Sequence, residues 1–235
     1  MDGQGHEILS DITMNAMSKM GMLKTIEAEA KKFFVNTSGC HDWSHVERVR
    51  ALARRIGLEE KADLFVLDAS ALLHDIAKNE ELKRKGGFCH AAEGAIRARP
   101  ILETVGVDMT TVDRIVHCIA THRKRGEHIP ESLEAKILFD ADKLDSIGAV
   151  GIARDFLCAG NIGARFYSGN EKEHAKNPKQ YEYTENDTAI LEYEVHLKGV
   201  KDRMFTKTGK IVAQERDAFM REYFKQFWRE VEGAD

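Results

Sequence analysis

The chain has 235 residues, 43% of them hydrophobic and 31% charged, enough to bury one sizeable core or two small ones. Its 35 Lys and Arg against 39 Asp and Glu leave a formal charge of -4, with no cationic excess to track a phosphate backbone, so nucleic acid is not an expected partner. Cys40, Cys89, Cys118 and Cys158 form no close pair, His6, Glu7 and Asp11 interrupt any signal core, and no eighteen apolar residues run together, which together point to a cytoplasmic chain with reduced thiols and no membrane role.

Three prolines and recurring apolar spacings of three and four predict a mostly α-helical chain. A first helix is predicted over residues 15–35, with Met17, Met20, Leu23, Ile26 and Ala30 in line and a stop at NTSG. Asp42 is a candidate N-cap for a second over 42–56, ended by Gly57, in which His45, Val49, Leu52 and Ile56 form one stripe, so His45 points inward. A third, over 59–78, carries Leu64, Leu67, Ala71, His74 and Lys78 on one stripe and Asp68, Leu72 and Asp75 on the next. His74 and Asp75 therefore lie at or beside the buried face.

Further helices are predicted over 91–105, 111–121 and, as a pair, within 133–157. Residues 165–187 are polar and irregular, longer than a connector needs, and read as an excursion or lid. Helical spacing resumes over 188–233, where Phe219, Tyr223, Phe227 and Val231 recur every four residues and pack the C-terminal helix on the bundle. No repeat, low-complexity run or Gly/Ser linker divides the chain.

Chemistry-bearing residues concentrate in one set: His45, then His74 and Asp75, then Asp142 in FDADKLD. A lone histidine on an apolar face is most often a hydrogen-bonded core residue. Here the same departure recurs on successive helices, and burying unpaired imidazoles and carboxylates is costly, so these groups need partners. One shared divalent ion satisfies them, and a mixed N/O donor set suits Mn, Fe, Co, Ni or Zn better than Ca.

His45 in HDWSHVERV, His74-Asp75 in ALLHDIAK and Asp142 in ILFDADKLD resemble the H…HD…D signature of the HD-domain metal-dependent phosphohydrolase superfamily, in particular its small stand-alone members. The ordered set carries the resemblance, with 29 residues from His45 to His74 and 67 from Asp75 to Asp142. It covers residues 15–157 and, more loosely, the rest, implying one HD-type domain over 1–235. The resemblance implies an all-α bundle with a metal between helices, His45, His74, Asp75 and Asp142 as its ligands, and hydrolysis of a phosphate ester of a small metabolite, a nucleotide first. It leaves the metal open among Mn, Fe, Co, Ni, Zn and Mg. Asp75 would orient or deprotonate the attacking water, and Lys78, at the Lys position of the HDxxK pattern, would contact phosphate. Arg48 and the run Arg123-Lys124-Arg125 are weaker phosphate candidates, as are Arg165, Lys172, Lys176 and Lys179 of the excursion.

Some branches of the superfamily hold two metals through extra histidines, and His90 and His122 are the candidates here. His90 reads equally well as a cap or a solvated residue. His117 and His122, five apart, lie about 140° apart on a continuous helix and cannot share a metal unless the helix ends between them; the resemblance favours His122, because the two-metal members carry adjacent histidines at the end of this helix where this sequence has His122-Arg123, and His117 is read as structural. Trp43 and the C-terminal aromatics are read as packing residues, and Gly148 and Gly151 as close-approach positions, because no strand precedes and no Lys-Ser/Thr follows them. Two other functions stay open: a di-iron oxygenase on the same scaffold, and a non-catalytic nucleotide-binding regulatory module. The oligomeric state cannot be read from the sequence.

Overall fold

The computed structural model describes residues 18–35, 42–84, 87–123 and 129–234. Met17, the NTSG stop, Cys40, Lys124 and Arg125 lie outside them. Among the described residues the chain is all-α, without strands. Helix α1 covers residues 18–31 and is followed by α2 (Trp43–Glu60), α3 (Leu64–Leu73), α4 (Lys78–Lys83), α5 (His90–Val105) and α6 (Met109–Thr121). Then come α7 (Leu133–Leu144), α8 (Gly148–Asn161), the short α9 (Glu171–His174), α10 (Ala189–Val195) and α11 (Lys207–Val231), with 3-10 turns at Lys32–Phe34, Pro178–Gln180 and Leu197–Arg203.

Side-chain caps set where the helices start. Asp42 accepts from Ser44 N, Asp63 from Phe65 N, Asp108 from Thr111 N, Ser132 from Ala135 N, Thr188 from Leu191 N and Thr206 from Gly209 N, each satisfying an amide the helix cannot. The Asp63 cap explains why the predicted helix 59–78 begins late, at Leu64. It also ends early, at Leu73, and the chain turns through His74–Ala77 before α4 starts, so Lys78 does not continue the stripe of His74.

Gly57 does not end α2, which runs to Glu60 and closes on Lys61 in the left-handed conformation, φ 60°. Gly57 is instead where α3 crosses, because a Cβ there would collide with the Leu67 side chain. That close crossing fixes His45 on α2 against the end of α3.

Helix α3 is buried from Phe65 to Leu73, apolar on every side as expected of a central helix, and it packs on α2, α6 and α7. Its one acid, Asp68, is sealed but paired with Arg50 at 3.0 Å and with Arg54. Helix α5 lies along α6, and α11 spans α7, α8 and α2.

The C-terminal stripe is rotated from the sequence expectation: Phe227 is buried, but Phe219 is 50% and Val231 37% exposed. Four-residue steps advance about 40° per step around a 3.6-residue helix, so residues twelve apart cannot share a face. The face that packs runs through Val212, Ala213, Met220, Phe224 and Phe227. The predicted helix after residue 188 is α10 followed by a 3-10 turn. No helix among the described residues is long and apolar enough to cross a membrane.

Asp140, on α7 and sealed from solvent, accepts from Phe205 N (2.9 Å), Thr206 N (2.8 Å) and Thr206 Oγ1 (2.7 Å), locking the start of α11 onto the helix that carries Asp142. Gly209 sits against the same carboxylate, where a Cβ has no room. Asp140→Ala should therefore cost about 3 kcal/mol in urea unfolding, since three donors lose their acceptor; a change below about 1 kcal/mol would contradict the locking role.

Candidate metal centre

Four imidazoles and two carboxylates converge between α2, the turn after α3, the starts of α5 and of the loop after α6, and α7. They form two groups, His45, His74 and Asp142 in one, Asp75, His90 and His122 in the other, and the donor atoms within each group lie within 4.8 Å of one another. Asp75 stands between the groups. Its Oδ2 is 3.6 Å from His45 Nε2 and 3.7 Å from His74 Nε2, while its Oδ1 is 3.0 Å from His90 Nε2 and 3.6 Å from His122 Nε2. Asp142 Oδ1 lies 3.4 Å from His45 Nε2 and 3.9 Å from His74 Nε2.

The backbone creates this arrangement by ending two helices at a histidine. His74 is the C-cap of α3 and His122 that of α6, and each Nδ1–H donates to a carbonyl three residues earlier, Ala71 O at 2.8 Å and Ile119 O at 2.7 Å. The helix does end between His117 and His122. His117 is turned away, its Nε2 accepting from Glu131 N at 3.3 Å, as its structural reading requires.

Behind the other two histidines stand carboxylates: His45 Nδ1 faces Asp145 Oδ2 at 2.8 Å, and His90 Nδ1 faces Glu81 Oε2 at 2.6 Å. All four rings thus use Nδ1 as donor, which leaves the Nε2 lone pairs facing inward, His45 against His74 at 3.3 Å and His90 against His122 at 3.3 Å. Paired acceptors at that distance need a cation or an added proton between them. In a metal centre this is the usual arrangement, with each ligating ring oriented by the hydrogen bond on its far side.

The electrostatics agree. Burial pulls His45 down, but Asp142, Asp145 and Asp75 outweigh it and raise it to about 9, whereas burial dominates at His74 and lowers it to about 4. Burial opposes the ionisation of Asp75 and Asp142, yet the imidazoles around Asp75, and Lys143 with His45 around Asp142, hold both well below the usual carboxylate range. Without metal, one added proton on His45 takes the place of a cation.

The sequence reading did not single out the supporting residues. Asp145, three residues after Asp142, receives Arg48 Nε at 2.7 Å and Arg154 Nη1 at 2.6 Å besides His45. Glu81 collects Lys78 Nζ at 2.9 Å and Arg123 Nη1 at 2.8 Å besides His90. Lys143 Nζ holds the far oxygen of Asp142 at 2.6 Å. Lys78 therefore lies beside the His90 group from the start of α4. Arg48 braces Asp145, and neither Arg165, bound to Glu185 at 2.5 Å, nor Lys176, bound to Glu173 at 2.6 Å, pairs outside the excursion. Trp43 packs edge-on against Phe34, and Gly151 lies on the Ser146 carbonyl, both as expected of packing positions.

The HD domain family matches residues 42–147, the span that holds every residue of both groups. The chain is 33% identical over 225 residues to the uncharacterized protein YpgQ of Bacillus subtilis, covering 93% of this chain and 98% of that one. Its fold superposes on the crystal structure of Bacillus subtilis YpgQ in complex with ADP with a TM-score of 0.71 at 30% identity, over 93% of this chain and 99% of the other. An HD-superfamily hydrolase from Bacillus thuringiensis gives 0.69 at 27% identity, over 91% and 98%. The chain belongs to the HD-domain family, and its relatives place it with the HD-superfamily hydrolases.

Proposed function

We propose that this protein is a cytoplasmic, single-domain phosphohydrolase that uses two divalent ions to cleave a phosphate ester of a small metabolite, a nucleotide before others. The observation that carries it is the pair of facing Nε2 contacts with Asp75 between them. His45, His74 and Asp142 would hold one ion, His90 and His122 the other, and Asp75 would offer one oxygen to each. Four imidazoles favour Mn, Fe, Co, Ni or Zn over Mg, which prefers oxygen and retained water. Ions held there lower the pKa of water and polarise a phosphoryl oxygen.

The chain's own groups supply the rest. Asp75, ionised and central, would orient the attacking water or take its proton. Asp142, 14% exposed, marks the open side of the centre. Lys143 beside it, and Lys78 and Arg123 on the opposite flank, provide the positive charge that a phosphate needs. The ADP bound to YpgQ supports a phosphorylated small molecule as ligand.

The purified protein, assayed against mono-, di- and triphosphate nucleotides with each metal, should release phosphate or pyrophosphate from at least one, lose that activity to chelator and regain it with metal. No turnover with any metal would refute hydrolysis, and tight nucleotide binding under those conditions would favour the regulatory module. The grouping of His90 and His122 with Asp75 also meets the six-ligand requirement of the oxygenase alternative. A coupled-iron Mössbauer spectrum from anaerobically purified protein, with no phosphatase activity, would select it.

A further inference from the structure

A groove of about 370 Å³ is walled by α9, α10, the 3-10 turn Leu197–Arg203 and α11. Five cations line it, Lys172, Lys198, Lys201, Arg221 and Lys225, against two carboxylates, Glu194 and Asp217, a local excess of three positive charges on a chain whose formal charge is -4. None of these residues belongs to the metal centre or to the carboxylates behind its histidines. Lys172, a phosphate candidate in the sequence, is brought by α9 to this groove.

Scattered surface lysines are ordinarily just solvated, so what matters is that these converge and are held in place. Asp217, 5% exposed, draws Lys201 Nζ to 2.8 Å and Arg221 Nε to 3.3 Å, fixing two cations from different elements side by side. The rest of the wall is aromatic. Tyr193 and Phe224, both buried, stack with ring centroids 4.1 Å apart, Lys198 Nζ lies 5.1 Å from the Tyr193 centroid, and half-buried Trp228 completes the lining. Cations gathered around aromatic rings suit a ligand with negative charge at one end and a flat ring at the other.

We propose that this groove is a second ligand site, separate from the metal centre, which takes a mononucleotide with its phosphate among Lys172, Lys201, Arg221 and Lys225 and its base against Trp228. A volume of about 370 Å³ suits a ligand of that size, and the net negative charge of the whole chain disfavours a long polyanion. Charge-assisted hydrogen bonds hold the phosphate, and stacking on the indole separates a nucleotide from inorganic phosphate. The site needs no metal. It therefore stands or falls independently of the phosphohydrolase reading.

The test is a fluorescence titration, corrected for absorbance, of metal-free Trp43→Phe protein in EDTA with AMP, GMP, CMP and UMP. Trp43 lies two residues from His45, so replacing it leaves Trp228 as the single tryptophan and removes the reporter nearest the metal centre. At least one nucleotide should quench Trp228 saturably with a Kd of about 1 mM or lower, and its nucleoside and inorganic phosphate should each bind at least about tenfold more weakly. Lys172→Glu with Lys225→Glu changes two exposed residues, so thermal unfolding should stay as in the parent while nucleotide binding falls at least about tenfold. Lys78→Ala, beside the histidines, should leave the titration unchanged. Absence of saturable quenching by all four nucleotides overturns the inference, as does binding that equals that of the nucleoside, that survives the double charge reversal, or that is lost in Lys78→Ala.

Discussion

Asp75→Ala is expected to abolish metal-dependent hydrolysis, with kcat/KM falling at least about 10³-fold, because one carboxylate serves both histidine groups. Its two oxygens lie 3.0 to 3.7 Å from four Nε2 atoms, so the substitution removes a carboxylate oxygen from each histidine group at once. The residue sits in the turn after α3 and caps no helix, so the circular dichroism spectrum should stay close to that of the wild type. Elemental analysis should show depleted metal in the same preparation. Unchanged turnover in a folded Asp75→Ala protein would remove Asp75 from the chemistry.

The second large effect is expected from Asp145→Asn, which preserves shape and removes the charge that His45, Arg48 and Arg154 share. Burial works against the Asp145 carboxylate, but His45, Arg48 and Arg154 hold it down at about 2, so it is ionised throughout the neutral range. The variant leaves two guanidinium groups without their buried counter-ion, a change of about 3 to 5 kcal/mol. Loss of the carboxylate behind His45 should weaken metal binding about 10- to 100-fold.

The pH dependence gives this prediction a sign. His45 in the metal-free chain stands at about 9 against an ordinary value of 6.5, so its contribution to stability is complete below 6.5 and disappears as pH rises through 9. Without Asp145 that elevation shrinks. Urea unfolding of metal-free protein should therefore show a smaller loss of stability between pH 6 and 9.5 in Asp145→Asn than in wild type, and equal losses would show that Asp145 does not hold the His45 proton.

The contrast between Asp142 and Asp145 shows what spacing reveals. Periodicity turns His45 inward because Val49, Leu52 and Ile56 share its face, and the H…HD…D order ties it to Asp142. Asp145 belongs to the same segment, but its role depends on Arg154 arriving from α8 and Arg48 from α2, contacts that only tertiary packing creates. Glu81 is similar. It looks like an ordinary helix-surface acid until α5 and the end of α6 bring His90 and Arg123 onto it.

His122 was ambiguous for a related reason. A helical wheel continued through residue 122 sets it about 140° from His117, whereas the helix stops at Thr121 and the His122 ring turns into the centre while His117 does not. Lys78 went the other way, assigned to the His74 face by a helix that ends at Leu73. The apolar pattern locates elements well, but capping and termination decide where their polar ends point. The C-terminal stripe erred by accumulated rotation, since a step of four is close to a turn only over short distances.

The central claim is a two-ion centre bridged by Asp75, and metal counting tests it most directly. Elemental mass spectrometry of freshly purified protein should give two divalent ions per chain, falling to one in His90→Ala and in His122→Ala while the group of His45, His74 and Asp142 keeps its own. A wild-type count of one that neither substitution changes would contradict the account.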